Sequence, residues 1–320
     1  MTVLLHLVFL AIGVAILVKS ADWFTGAAVE VARRMRIPEI IVGATLVSLA
    51  TTLPEFAVSF LATWQGKASL AVGNAVGSTI CNVGFILGLC AFLSPMVIEQ
   101  REFVRNGAGL LALVSVFGVL GFAFPEGSRW VGLVMLSCLI AYLGSIVRSA
   151  TRQRRGVHAT TPSTYSIPMT VVLFVVGAAG VVGGSRLMVW SAVHLATRLG
   201  VPELVIGLSI VAVGTSTPEL VVSIAAILKK QRGLSIGNII GANILNLAWV
   251  IGACSLVSPL PLSDQTRWFD VPVTFLLSIL MLIFGATGKQ LVRWEGAVLL
   301  CIYAAYVTLI FAVFSTAPIS

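Results

Sequence analysis

Long apolar runs broken by short polar stretches recur from one end of the chain to the other. The pattern predicts helices over about 3–31, 38–64, 70–94, 103–124, 129–148, 166–195, 202–229, 234–258, 269–287 and 293–315. Each is close to or above the roughly 20 residues that a helix needs to cross the hydrocarbon core of a bilayer. The first and sixth are longer than crossing requires and carry polar spots, Lys19–Ser20–Asp22 and Ser185–Arg186, as tilted or partly interfacial helices do. Two polar breaches deep inside apolar runs are nearly the same phrase, LATTLPEF at 49–56 and VGTSTPEL at 213–220.

Those phrases belong to a longer repeat. Residues 37–95 align with 201–259 at a constant offset of 164 without a gap, and 20 of the 59 positions are identical. Chance similarity between apolar helices would match leucines and valines. Here the matches include Pro38/Pro202, Glu39/Glu203, Thr51/Thr215, Pro54/Pro218, Glu55/Glu219, Asn74/Asn238 and Asn82/Asn246. Duplication explains this. Five predicted spans per copy is an odd number, so the second copy enters the membrane in the opposite sense. The expected fold is an all-α polytopic membrane protein of ten transmembrane helices in two inverted five-helix repeats. The first repeat covers 1–148, a linker 149–164 and the second repeat 165–320. Secondary transporters commonly use this plan, with substrate near the midplane at the repeat interface.

Composition agrees: 58% of residues are hydrophobic, 10% are charged and the mean hydropathy is +1.05. The net charge of +8 lies in connectors rather than on one face, which argues against nucleic acid. With the N-terminus outside, fourteen basic residues fall in inside connectors, among them Arg101, Arg105 and Arg148, and four fall outside. The positive-inside rule therefore predicts both termini outside, and a cytoplasmic 149–164 linker too short to fold as a calcium-sensing domain. The N-terminal run lacks a basic leader and a clear cleavage site, and reads as the first span. Cys81, Cys90, Cys138, Cys254 and Cys301 lie in apolar runs without metal-ligand spacing and read as small hydrophobes. His6, His158 and His194 have no acidic partner at obvious spacing and read as structural, and Trp23, Trp130, Trp190 and Trp268 suit an interfacial belt. Asp22 and Arg186, equivalent at offset 164, suggest an ion pair between the first and sixth helices.

The repeated phrases carry the chemistry. An ionised carboxylate facing lipid costs several kcal/mol, so Glu55 and Glu219 must be protonated, paired or turned toward a hydrated cavity. No lysine or arginine lies at their depth in these runs, which leaves both acids able to meet a cation from outside the protein. Pro54 and Pro218 free the carbonyls of Ala50 and Gly214, and Thr51, Thr52, Thr215 and Ser216 add hydroxyls. In the partner stretches, GNAVGSTICN at 73–82 and GNIIGANILN at 237–246, Asn74, Ser78 and Asn82 share a face, as do Asn238, Ala242 and Asn246. Asn82 and Asn246 either complete an oxygen shell or bridge helices. The GxxxG pairs Gly73/Gly77 and Gly237/Gly241 suit close helix packing. An all-oxygen set selects hard cations, calcium or sodium. Competition of the two for shared carboxylates would give exchange. A cation channel or a membrane scaffold are the other function classes, and neither reading involves an enzyme or a cofactor.

The paired GTSTPE and GNIIGANILN motifs, with their first-half counterparts, resemble those of the cation/calcium antiporter superfamily, in its sodium/calcium exchanger family and prokaryotic branch. The resemblance covers essentially the whole chain. It implies sodium–calcium exchange by alternating access, with the first and sixth helices sliding over a core of the second, third, seventh and eighth. It assigns cation ligation to Glu55 and Glu219, to Thr51, Thr52, Thr215 and Ser216, to Ser78 and Asn82, and to backbone near Ser48 and Ala212. Asn246 stands where well-understood members carry Asp, Ala242 replaces a Ser, Ala50 a Gly and Thr79 an Asn. These departures leave a proton-coupled antiporter of Ca2+ or another cation as the alternative. The implied partners are inorganic cations and the lipid bilayer, in a prokaryotic plasma or inner membrane; no obligate protein partner is evident, and a monomer is compatible.

Overall fold

The computed structural model describes residues 3–153, 165–199, 212–310 and 312. These residues fold almost entirely into helices. In chain order they are α1 (Val3–Met35), α2 (Glu39–Trp64), α3 (Ala68–Leu93), α4 (Gln100–Ala123), α5 (Arg129–Gln153), α6 (Ile167–Arg198), α7 (Ala212–Thr215), α8 (Thr217–Leu228), α9 (Arg232–Val257), α10 (Thr266–Gly288) and α11 (Arg293–Leu309). Eight of them, α1 to α6, α9 and α10, are long and apolar enough to cross a membrane. The only strands among the described residues are β1 (Met96–Val97) and β2 (Gln290–Leu291), antiparallel, with Met96 opposite Leu291. They tie the turn after α3 to the turn before α11.

The two long helices pack on each other and run antiparallel. Small residues make this possible: a methyl group at Gly13 would stand 2.8 Å from the Met188 amide nitrogen, and one at Gly177 2.8 Å from that of Phe24. Gly184 meets Leu17 and Gly180 meets Ser20 between them. Gly13/Gly177 and Phe24/Met188 are each 164 apart, so the interface relates equivalent positions of the two halves. Behind it, Leu17, Ala21, Phe24, Val181, Val222 and Ala226 form a small apolar cluster that seats the pair against α8. The larger core spans α2 to α5 and α9 to α11, with Ile80, Leu87, Phe103, Leu110, Ile240 and Leu277 at its centre.

In the most buried helices the backbone widens to π-helical turns at Gly43–Val47 in α2, Cys81–Leu87 in α3 and Asn246–Ile251 in α9. Such turns are rare and concentrate at functional positions. The last two begin at or next to Asn82 and Asn246. On α9, Gly237 and Gly241 let the backbone close on Ile40, Ala44 and Ser48 of α2, the packing role expected of that GxxxG pair, whereas a methyl group at Gly73 or Gly77 of α3 would meet nothing within 4 Å.

Three expectations change. The fifth helix continues to Gln153, so Ser149 belongs to it rather than to the linker; residues 154–164, with His158, lie outside the described residues. The helix expected over 202–229 is described from Ala212 and breaks at Ser216, whose φ of −86° and ψ of 8° leave the helical region, before Pro218 opens a new helix. Residues 202–211 lie outside the described residues. In α2, by contrast, Pro54 sits inside a continuous helix. A proline in the first turn removes only an amide that has no partner there. Asp22, finally, pairs with Lys229 Nζ at 2.9 Å rather than with Arg186, because α1 packs along α8 and that lysine caps its C-terminal end.

Candidate cation site

Where the halves meet, α2, α3, α8 and α9 bring together most of the oxygen-bearing residues singled out from the sequence. Glu55 and Glu219 are each 1% exposed and close enough for their charges to interact. No hydrogen bond reaches either oxygen of either carboxylate. The hydroxyls of Thr51 and Thr52 on α2 lie beside Glu219 of the other half. Thr52 Oγ1, Ser216 Oγ, Asn82 Oδ1 and Asn246 Oδ1 are also buried without a hydrogen-bond partner. Buried polar groups are normally satisfied, and a cluster of unsatisfied oxygens needs an explanation. The four carboxylate oxygens, with the Thr52 hydroxyl beside them, make a buried anionic cage whose unmet bonding capacity a cation would satisfy.

The scaffold around the cage is satisfied and repeats at offset 164. Asn74 Nδ2 donates to the Glu55 carbonyl at 3.2 Å and to Ser59 Oγ at 2.9 Å. Asn238 Nδ2 donates to the Glu219 carbonyl at 3.4 Å and to Ser223 Oγ at 3.1 Å. Each asparagine therefore pins the backbone of the acid on the neighbouring helix. The Ser59/Ser223 match was visible in the repeat, but only the fold gives it a role. Asn238 also accepts from Thr51 Oγ1 at 3.2 Å, and Asn82 Nδ2 donates to Asn243 Oδ1 at 3.0 Å. With its nitrogen engaged, Asn82 leaves its oxygen buried and without a partner. The equivalent of Asn243 is Thr79, which turns back to the Ala75 carbonyl at 2.9 Å, so this bridge exists on one side only.

The other sequence candidates stand as follows. Thr51 is buried and already engaged, with the Ser48 carbonyl at 3.2 Å as well as with Asn238. Ser48 is fully buried and its hydroxyl turns to Thr45 O at 3.1 Å. Ser78 is 3% exposed on the same helix as Asn82. Thr215 ends α7 and is half-buried, and Ala212 opens α7. The Gly214 carbonyl that Pro218 leaves free accepts from Ser185 Oγ of α6 at 3.3 Å. The sequence offered that carbonyl to a cation; a hydroxyl takes it instead, since α6 runs beside the break. Ala21 occupies the equivalent of Ser185 in the first half and has no hydroxyl to give. Among the described residues no group of three or more His, Cys, Asp or Glu gathers in one place, consistent with a site of two acids and neutral oxygens.

The sequence profile of the sodium/calcium exchanger protein family matches residues 5–147 and again 169–312. This chain belongs to the sodium/calcium exchanger family. Membership makes it a membrane cation antiporter rather than an enzyme. Among relatives of this exchanger, the sodium/calcium exchanger MaX1 of Methanosarcina acetivorans is 31% identical, over 96% of this chain and 98% of its own. The inner membrane protein YrbG of Escherichia coli is 34% identical over 87% of each. Among solved structures, the sodium-calcium exchanger NCX_Mj, soaked with Na+ and Sr2+, superposes with a TM-score of 0.84 at 31% identity, over 96% of this chain and 99% of its own.

Two further features of this exchanger were not legible from spacing. His6 and His194 stack at 5.2 Å between ring centroids, with Trp190 beside both, so the histidines at the ends of α1 and α6 partner one another. The cysteines divide: Cys81, Cys90 and Cys254 are buried as expected, whereas Cys138 is half-buried and Cys301 exposed.

Proposed function

We propose that the protein exchanges Na+ for Ca2+ by alternating access. Both ions are held in turn by Glu55 and Glu219 with Thr51, Thr52, Ser78, Asn82, Thr215, Ser216 and Asn246 and with backbone near Ser48 and Ala212. The observation that carries this reading is the cage of buried, unpartnered oxygens centred on two acids with no basic residue among them. Two carboxylates neutralise one Ca2+ or two Na+, so either cargo leaves the cage uncharged while both together do not. Mutual exclusion of this kind makes one ion's departure the condition for the other's entry.

The same reading takes the chain as ten membrane helices in two inverted repeats, 1–148 and 165–320, with both termini outside a prokaryotic plasma or inner membrane. Supporting it are the two family matches, which begin 164 residues apart, and the antiparallel packing of the equivalent helices α1 and α6. The glycines that let α1 and α6 pack closely on each other are compatible with the pair sliding as one unit over the cage helices.

One observation favours a second reading. Asn246 brings a neutral amide to the cage, so only two acids are present to balance charge, and a proton can replace Na+ as the competing ion at either acid. Purified protein in liposomes separates the two. Calcium uptake is measured while inside Na+ and inside pH are varied independently. Sodium–calcium exchange requires uptake to follow inside Na+ at fixed pH. Uptake that follows only the pH gradient replaces it with proton coupling.

A further inference from the structure

Away from the cation site, α4 and α5 leave a cleft between them whose two ends differ. At one end a cavity of about 250 Å³ is walled by Arg101, Arg105 and Arg148 with Ser145 and Ser149. Running on from it, and sharing Arg105 and Ser145, is a second cavity of about 240 Å³ walled by Gly109, Ala112, Leu113, Val116, Cys138 and Ala141. The sequence built this cleft along one stripe of each helix. On α4, positions 101, 105, 109, 112 and 116 recur every three or four residues and share a face; on α5, positions 148, 145, 141 and 138 do the same. Small residues at Gly109, Ala112 and Ala141 keep the lower part open. Arginines close only the end where both helices meet the polar boundary.

We propose that this cleft binds an anionic phospholipid from the adjoining leaflet, its phosphate among Arg101, Arg105 and Arg148 and an acyl chain along Gly109, Ala112 and Ala141. Charge complementarity identifies the occupant. Arg101 and Arg148 are exposed and, among the described residues, have no acidic partner within ion-pair distance. Arg105 is tied to the buried Glu102, which also accepts from Ser149 at 2.8 Å and holds the guanidinium at the cavity wall. The remaining acid nearby, Glu99, is held above its ordinary value by burial and by Glu102. Arg101 stands in the first turn of α4, where the helix dipole disfavours a cation and favours an anion. Basic pockets between membrane helices at the cytoplasmic side are headgroup sites, and the cleft adds a path for the chain. A free phosphate would use the arginines and ignore the apolar groove.

The test is native mass spectrometry of the full-length, detergent-purified protein titrated with phosphatidylglycerol, phosphatidylcholine or inorganic phosphate. Wild type is expected to hold phosphatidylglycerol about 10-fold or more over phosphatidylcholine, as two unpaired arginines near a phosphate imply. The double variant Arg101→Gln/Arg148→Gln should bind the two lipids alike. Both side chains are exposed, and an unchanged melting temperature reports that the fold is kept. Ala112→Trp fills the groove and should weaken phosphatidylglycerol with all three arginines intact, while millimolar phosphate should leave the lipid in place. Equal binding of both lipids by wild type, a preference that survives in the double variant, full retention in Ala112→Trp, or displacement by phosphate would each overturn the proposal.

Discussion

At the residue scale the proposed site turns on Glu55 and Glu219. A carboxylate about 4 Å from a monovalent charge gains roughly 4 kcal/mol at an effective dielectric of 20, and more from a divalent ion. Replacing either by Gln keeps the shape and one oxygen but loses that attraction. Calcium uptake into liposomes should fall by ~100-fold or more for Glu55→Gln and for Glu219→Gln, with the purified proteins still folded. Retained uptake in either variant would remove that acid from the site. Asn246 supplies a converse test. Asn246→Asp adds a third carboxylate to the cage, and a third like charge favours protonation of one member. Below that group's pKa it is neutral, as Asn246 is; above it, it attracts Ca2+ more strongly. The variant's apparent calcium affinity should therefore rise with pH more steeply than that of the wild type, measured as KM for uptake across a pH series. Parallel pH profiles would mean that residue 246 does not face the ion.

At the element scale the halves are alike in sequence and unlike in detail. The first-half phrase is one continuous helix through Pro54; the second breaks at Ser216, with Ser185 of α6 holding the Gly214 carbonyl. Removing that hydroxyl leaves a buried carbonyl short of a partner. Ser185→Ala should lower stability by about 1 kcal/mol, read as a drop in melting temperature of the purified protein. The α1–α6 interface allows less. A leucine at Gly177 would drive its Cβ into the Phe24 backbone, which has no rotamer to yield. Gly177→Leu should force the helices apart at a cost of about 1–3 kcal/mol and depress transport, whereas Gly183→Leu, where nothing lies within 4 Å, should be tolerated.

At the scale of the whole molecule the proposed inverted repeat would set both shape and orientation. In that arrangement two acids 164 residues apart come from equivalent helices, and the basic residues that would fix orientation are expected at one side. Single cysteines introduced at His158 and near Arg129 in a cysteine-free background should be labelled from opposite sides in intact cells, the first from inside and the second from outside. Labelling of both from one side would contradict the odd number of spans per half.

Periodic apolar runs need nothing but chain length and bilayer thickness to be read, so the sequence by itself determined a helical membrane protein. The gapless offset of 164 likewise singled out which polar residues are candidates, since a duplicated breach such as LATTLPEF and VGTSTPEL is not explained by apolar drift. It even paired Asn74 with Asn238 and Ser59 with Ser223, without saying what they hold. What the tertiary structure decided is how each oxygen is spent. The Gly214 carbonyl goes to Ser185 and the Asn82 nitrogen to Asn243. Each of these partners lies on another helix, at a separation no local pattern encodes. A hydrogen-bonding group in a low-dielectric interior takes whichever complement the packing brings within about 3 Å. The oxygens left over after that allocation, on Thr52, Glu55, Asn82, Ser216, Glu219 and Asn246, are what a cation can be offered.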